Sequence, residues 1–124
     1  MHSLSDEDLP ALYTGARVYA CPSLYEGFGF TVLEAMACGV PVVCSRDTSL
    51  PEVAGDAALF ADPRNVDEFA RALAQAFNDE SLRVQLIARG MANVKRFSWA
   101  RVASHALSTY EQVCGSELER PVCA

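Results

Sequence analysis

Two glutamates, Glu26 and Glu34, stand with seven residues between them around a Gly27-Phe28-Gly29 turn, in the run EGFGFTVLE. The turn follows a predicted strand and opens a predicted helix, and in an open parallel sheet ligands bind at such a place. Two glycines let a backbone approach a ligand closely. The first-turn amides of Phe28, Gly29, Phe30 and Thr31 have no partner inside the helix, so with the positive end of the helix dipole they suit a phosphate. Glu34 stands five residues beyond Gly29, which at about 1.5 Å per residue is roughly 7 Å further along the helix. That is comparable to the span from a diphosphate to a nucleoside ribose, whose hydroxyls a carboxylate can accept. Glu26, at the other end, would face the group beyond the phosphate, where a sugar would lie. Spacing alone also fits an ordinary loop glutamate and an exposed helix glutamate.

The elements that must position these residues follow from pattern and punctuation. Ser5 can cap a helix with Asp6, Glu7 and Asp8 in its first turn, Leu9, Leu12 and Tyr13 on one face, and Gly15 at its end. Residues 18–21, bounded by Pro22, read as a short buried strand. Residues 30–38 have the composition of a helix, which Gly39 ends in a left-handed cap and Pro41 prevents from continuing. A second strand covers residues 42–44. Ser49-Leu50-Pro51-Glu52 has the form of a capping box before a short helix to Ala54, and residues 58–60 are a third strand. Asn65 caps a helix burying Val66, Phe69, Ala70, Leu73 and Phe77, and Asp79 starts another with Leu82, Leu86 and Val94 inward. Ser98 caps the last, where Trp99, Val102, Ala103, Ala106, Leu107, Tyr110 and Val113 recur at three- and four-residue steps. That face predicts Trp99 and Tyr110 as core anchors. Of Phe28 and Phe30, one is expected under the sheet and the other beside the ligand.

Strands alternating with helices imply an α/β layered fold with a short parallel sheet. Doubly wound domains carry five or six strands, and three are visible here, so the sheet is expected to leave an edge or face open. The pattern reads as the second half of a Rossmann-like domain. The tail from residue 115 to 124 carries no periodic pattern and is expected to be unstructured.

Composition removes several functions. With 124 residues, sixteen acidic side chains against ten basic ones and a formal charge of -6, the chain has length for one domain and no basic stripe for a nucleic acid. Its apolar runs are far shorter than the roughly 20 residues of a membrane span. The first residues lack the cationic and apolar parts of a signal peptide, so a cytoplasmic protein is expected. The five cysteines show no C-x-x-C spacing, and there are two histidines; the thiols are expected mostly in the core and no metal cluster is expected.

Residues 26–43, EGFGFTVLEAMACGVPVV, resemble the signature of glycosyltransferase family 4, the retaining enzymes of GT-B fold. The paired glutamates, the turn glycines and the run into the next strand carry the resemblance. Flanking segments agree: Cys21-Pro22-Ser23, Leu50-Pro51-Glu52-Val53, Asp62-Pro63 and Phe97-Ser98-Trp99. The resemblance spans about residues 3 to 114, so residues 1–114 are expected to form a partial C-terminal nucleotide-sugar-binding domain. It implies Glu26 as the catalytic-site residue contacting hydroxyls of the donor sugar. It implies that Gly27, Phe28, Gly29, Phe30 and Thr31 hold the diphosphate and that Glu34 holds the ribose. It implies a nucleotide sugar as substrate without a bound metal or other cofactor. The family's acceptor-binding N-terminal domain and its basic arginine and lysine pair are expected before residue 1. The isolated chain is therefore expected to be inactive, completed by a separate N-terminal half or self-associated through its open sheet. A non-catalytic association module is the alternative.

Overall fold

A computed structural model describes Ser5 and residues 7–114. The expected tail at 115–124 lies outside the described residues. Helices and strands alternate in the order α1 (Leu9–Gly15), β1 (Tyr19–Cys21), α2 (Phe30–Ala37), β2 (Val42–Ser45), α3 (Leu50–Ala54), β3 (Ala58–Ala61), α4 (Val66–Asn78), α5 (Glu80–Val94) and α6 (Trp99–Cys114). The strands form one parallel sheet in the order β1-β2-β3, with Cys21 opposite Cys44 and Cys44 opposite Phe60. This is the expected α/β architecture with a short parallel sheet flanked by helices.

Every residue of β2 is buried, which fits a central strand covered on both faces. Its side chains divide between two cores. Val42 and Cys44 join Cys21, Val32, Met36, Leu50 and Val53 beneath α2 and α3. Val43 faces the other way and packs with Ala61, Phe69 and Ala76 beneath α4. Burial pushes the Cys44 thiol up to about 12, with Cys21 adding to the shift, so Cys44 behaves as a core hydrophobe. Cys21 is also buried, Cys38 is half-buried and Cys114 is exposed.

The helix signals fare unevenly. Gly39 takes the left-handed cap geometry (φ 72°) and Pro41 leads into β2. Asn65 and Asp79 cap α4 and α5 by accepting the amides of Glu68 and Leu82 at 3.0 and 2.9 Å. Ser98 accepts the Arg101 amide at the start of α6. Ser5 does not cap α1. Asp8 is the cap residue, and the Ser5 hydroxyl donates to its carboxylate instead. Ser49 stands at the N-cap position of α3 as expected, but its hydroxyl donates back to the loop at residues 26–28 instead of closing a capping box.

Two predicted core faces are corrected. On α4, Phe69 and Ala76 are buried and Leu73 half-buried, but Val66, Ala70 and Phe77 are exposed, Phe77 because the sheet beneath that end of the helix stops at β1. On α6 nothing is buried, and Trp99, Val102, Leu107, Tyr110 and Val113 are all exposed. Periodicity identifies a face that apolar cover would suit, and the described residues supply no cover for it. A groove of about 530 Å³ opens where the sheet stops, lined by Ala16, Val18, Leu73 and Phe77 among others, with Arg17 lying over the Phe77 ring.

One buried polar side chain ties the layer beneath the site together. The Asn93 amide donates to the Val53 carbonyl at 2.9 Å, and its oxygen accepts from Arg96. Replacing Asn93 with alanine strands that carbonyl, and we expect a loss of about 1–3 kcal/mol in urea unfolding.

Candidate functional site

The turn at residues 26–29 lies beyond the C-terminal end of β1 and delivers the chain into α2. Gly29 is the N-cap of α2 with φ 107° and ψ 45°, a conformation that side chains resist. A Cβ built on it would stand 2.7 Å from Leu50 Cδ2, so the turn is seated against α3 by a contact that only glycine permits. Gly27 has open space where a Cβ would point and no positive φ. Its lack of a side chain is not required by the packing of this chain.

The amides of Phe28, Gly29, Phe30 and Thr31 donate to no described acceptor, whereas those of Val32 and Leu33 bond to the Gly29 carbonyl. Four neighbouring N–H groups at a helix start are therefore available to one anion. At one end of this seat, the half-buried Glu26 accepts a 2.8 Å hydrogen bond from the Ser23 hydroxyl. Further along α2, the exposed Glu34 accepts a 3.0 Å hydrogen bond from the Tyr13 phenol. The structure thus places Glu26 and Glu34 on one continuous segment on either side of the open amides. Each carboxylate is oriented by a neighbouring hydroxyl.

Phe28 and Phe30 depart from expectation. Both are exposed, by 36% and 55%, and neither goes under the sheet. Their rings pack together at 4.7 Å, and the row continues to Phe97 at 5.8 Å from Phe28 and to Trp99 at 6.4 Å from Phe30. Gly29, not a phenylalanine, is the residue that packs inward.

Tyr13 was legible only as one residue of an amphipathic face. Its phenol also needs a polar partner where it is partly buried, and Glu34 supplies it. Burial, reinforced by that carboxylate, holds the Tyr13 proton well above the ordinary tyrosine range. Tyr19, edge-on to Tyr13 at 5.7 Å, is raised by burial as well.

Three arginines are engaged by other groups, while Arg96 lies over Phe97, the ring that packs on Phe28. Arg17 donates to the Phe77 carbonyl and pairs with Glu80, Arg46 pairs with Glu68, and Arg64 pairs with Asp47. No helix among the described residues is long and apolar enough to cross a membrane.

Residues 1–92 match the family model described as glycosyl transferases group 1. The chain belongs to that family. Among similar proteins, the O-antigen chain mannosyltransferase B of Escherichia coli is 53% identical over 106 residues, covering 86% of this chain and 28% of the relative. An MMP alpha-(1->4)-mannosyltransferase of Mycolicibacterium hassiacum is 41% identical over 113 residues, again 28% of its length. Among solved structures, a sucrose-phosphate synthase from Thermosynechococcus elongatus superposes with a TM-score of 0.81 at 28% identity, over 94% of this chain and 30% of that one. The chain spans between a quarter and a third of the length of these proteins.

The raised Tyr13 proton fixes the sign of one pH effect. An unfolded tyrosine ionises near pH 10 while folded Tyr13 does not, so its contribution to stability is complete below that pH and is lost as pH rises above it. Urea midpoints measured at pH 9 and pH 11 should fall less steeply in Tyr13→Phe than in the parent chain.

Proposed function

We propose that the chain is the donor-binding part of a retaining glycosyltransferase of family 4, corresponding to the second half of a GT-B C-terminal domain. The observation that carries the reading is the set of four partnerless amides at residues 28–31, flanked by two hydroxyl-oriented carboxylates. Those amides would receive the diphosphate of a nucleotide sugar, and with cationic side chains would stabilise the charge that develops as it leaves. No resident metal ion is assigned to that role. Glu26 would accept from hydroxyls of the sugar, and Glu34, with Tyr13 behind it, from those of the ribose. Two of the relatives are named mannosyltransferases, which supports mannose as the transferred sugar.

The strand order supports the placement within a larger domain. In a six-stranded doubly wound sheet ordered 3-2-1-4-5-6, strands 4, 5 and 6 are consecutive and parallel, and strand 4 borders the ligand crevice. The order β1-β2-β3 fits those three, with the candidate site at the end of β1. The unpaired edge of β1 would then meet the preceding half.

Calorimetric titration of the purified chain with GDP-mannose, GDP, UDP and ADP tests the reading. We expect saturable binding of one nucleotide, weakened about tenfold or more in Glu34→Ala, as for a lost hydrogen bond to a charged group. Equal binding by Glu34→Ala would remove the ribose assignment, and no binding by a folded chain would remove the donor reading.

A second reading rests on the open β1 edge and the uncovered α6: a non-catalytic module that associates through them. A folded, dimeric chain that binds no nucleotide would favour it.

The isolated chain should transfer no sugar, because Arg17, Arg46 and Arg64 are each paired with an acidic side chain of this chain. Sugar transfer by the purified chain, followed by release of free nucleotide, would contradict this.

A further inference from the structure

The turn between β2 and α3 is built in an unusual way. Thr48 has φ 61°, and among the described residues it is the one non-glycine residue with a positive φ. A β-branched residue is poorly suited to that region, so something must hold it there. Upstream, the Asp47 amide donates to the buried Ser45 hydroxyl at 3.1 Å, and the Asp47 carboxylate pairs with Arg64 at 2.8 Å. Downstream, α3 is anchored by Leu50, which is fully buried. Thr48 and Ser49 are thus presented to the 26–29 turn by a braced segment.

Their hydroxyls meet that turn at three backbone atoms. Thr48 Oγ1 accepts from the Glu26 amide at 3.3 Å. Ser49 Oγ lies 3.0 Å from the Glu26 carbonyl and 2.9 Å from the Phe28 carbonyl, and its single proton serves both. Occupying those two carbonyls bears on the amides that follow. A peptide plane carries its C=O and the next N–H on opposite sides, so fixing the Phe28 carbonyl fixes the direction of the Gly29 amide. Fixing the Glu26 carbonyl does the same for Gly27. The Leu50 contact with Gly29 completes the clasp.

We propose that Thr48 and Ser49 are positioning residues that hold the 26–29 backbone in the shape in which its amides converge on a phosphate. The proposal rests on the donor reading above. Neither side chain needs to touch the ligand. A glycine at position 48 would fit that φ freely but has no hydroxyl to offer the Glu26 amide.

The test uses four variants of the full chain, in two pairs. Ser49→Ala and Thr48→Gly remove a hydroxyl, while Ser49→Thr and Thr48→Ser retain it. Binding of inorganic pyrophosphate, and of whichever nucleoside diphosphate the parent takes, is measured by calorimetry. Amide hydrogen exchange is followed at the hydrogen-bonded amides of Glu26, Val32 and Leu33 and, as a reference, at Val42–Ser45. We expect each hydroxyl deletion to weaken binding roughly three- to tenfold, with both conservative variants within about twofold of the parent. Thr48→Gly should lose affinity without a lower Tm, since glycine relieves the backbone, and a merely structural residue would not behave so. Exchange at Glu26, Val32 and Leu33 should accelerate in both deletions and stay unchanged in β2. Parent-like exchange at Glu26, Val32 and Leu33 in Ser49→Ala and Thr48→Gly would overturn the clasp, as would parent-like diphosphate affinity in both. A parent chain that binds no diphosphate would instead remove the donor reading, and the exchange comparison would still decide whether the clasp holds the turn.

Discussion

Gly29 resting on Leu50 is the contact on which the geometry of the candidate site depends. It needs a residue without a Cβ, in a left-handed conformation, at the junction of loop and helix, and it needs α3 to be fixed beneath. That foundation is itself built in steps. Leu50 and Val53 enter the same core as Met36 and Cys44, and Asn93 reaches from α5 to the Val53 carbonyl. The start of α2 is thus set by residues from β2, α3 and α5. Its own length of 8 residues would give it little stability in isolation. The amides at residues 28–31 point where they do because the far side of the turn is pinned.

The second constraint is incompleteness. A parallel sheet is stable when both faces and both edges are dealt with. Here β2 meets that condition, whereas β1 and β3 are edge strands, and among the described residues the groove beside Phe77 and the face of α6 stay uncovered. These features differ in position but share one physical description, apolar or hydrogen-bonding surface without a partner among the described residues. The three similar proteins compared above are three to four times its length. That relation gives the open surfaces a simple source, because each lies where further chain would be needed to cover it.

Much of this was legible in the sequence, for reasons that separate local from distant physics. Strand positions, the caps at Asn65 and Asp79 and the stop at Gly39 and Pro41 depend on a few neighbouring residues, and they appear where expected. Glu26 and Glu34 fall on either side of the open amides because they flank them along the chain, with helix rise setting only how far Glu34 lies beyond. The misses are long-range. Ser49 satisfies the capping-box pattern, yet its hydroxyl turns to carbonyls more than twenty residues away, a choice no local pattern records. The positive φ of Thr48 runs against local preference and has no sequence signal. Val66, Phe77 and the α6 face were assigned to a core because periodicity reports that a helix is amphipathic, not what it meets.

Charge gives the remaining argument. On the donor reading, two carboxylates flank a seat for a diphosphate, on a chain whose formal charge is -6. At roughly 7 Å and an effective dielectric constant near 20, each pair of like unit charges costs about 2 kcal/mol. The favourable contribution of a helix N-terminus to an anion is about 0.3–2 kcal/mol. The amides can therefore orient a diphosphate but do not outweigh the glutamates around it, and a carboxylate beside a phosphate is useful only as an acceptor from neutral hydroxyls. Both ends of a nucleotide sugar offer such hydroxyls, on the ribose and on the transferred sugar. The deficit of positive charge must be met by cations from outside the segment that carries the amides. On that reading, with Arg17, Arg46 and Arg64 each paired to another group, the electrostatics favour the same arrangement as the open β1 edge, a donor seat that is one side of a site whose other side brings the cations.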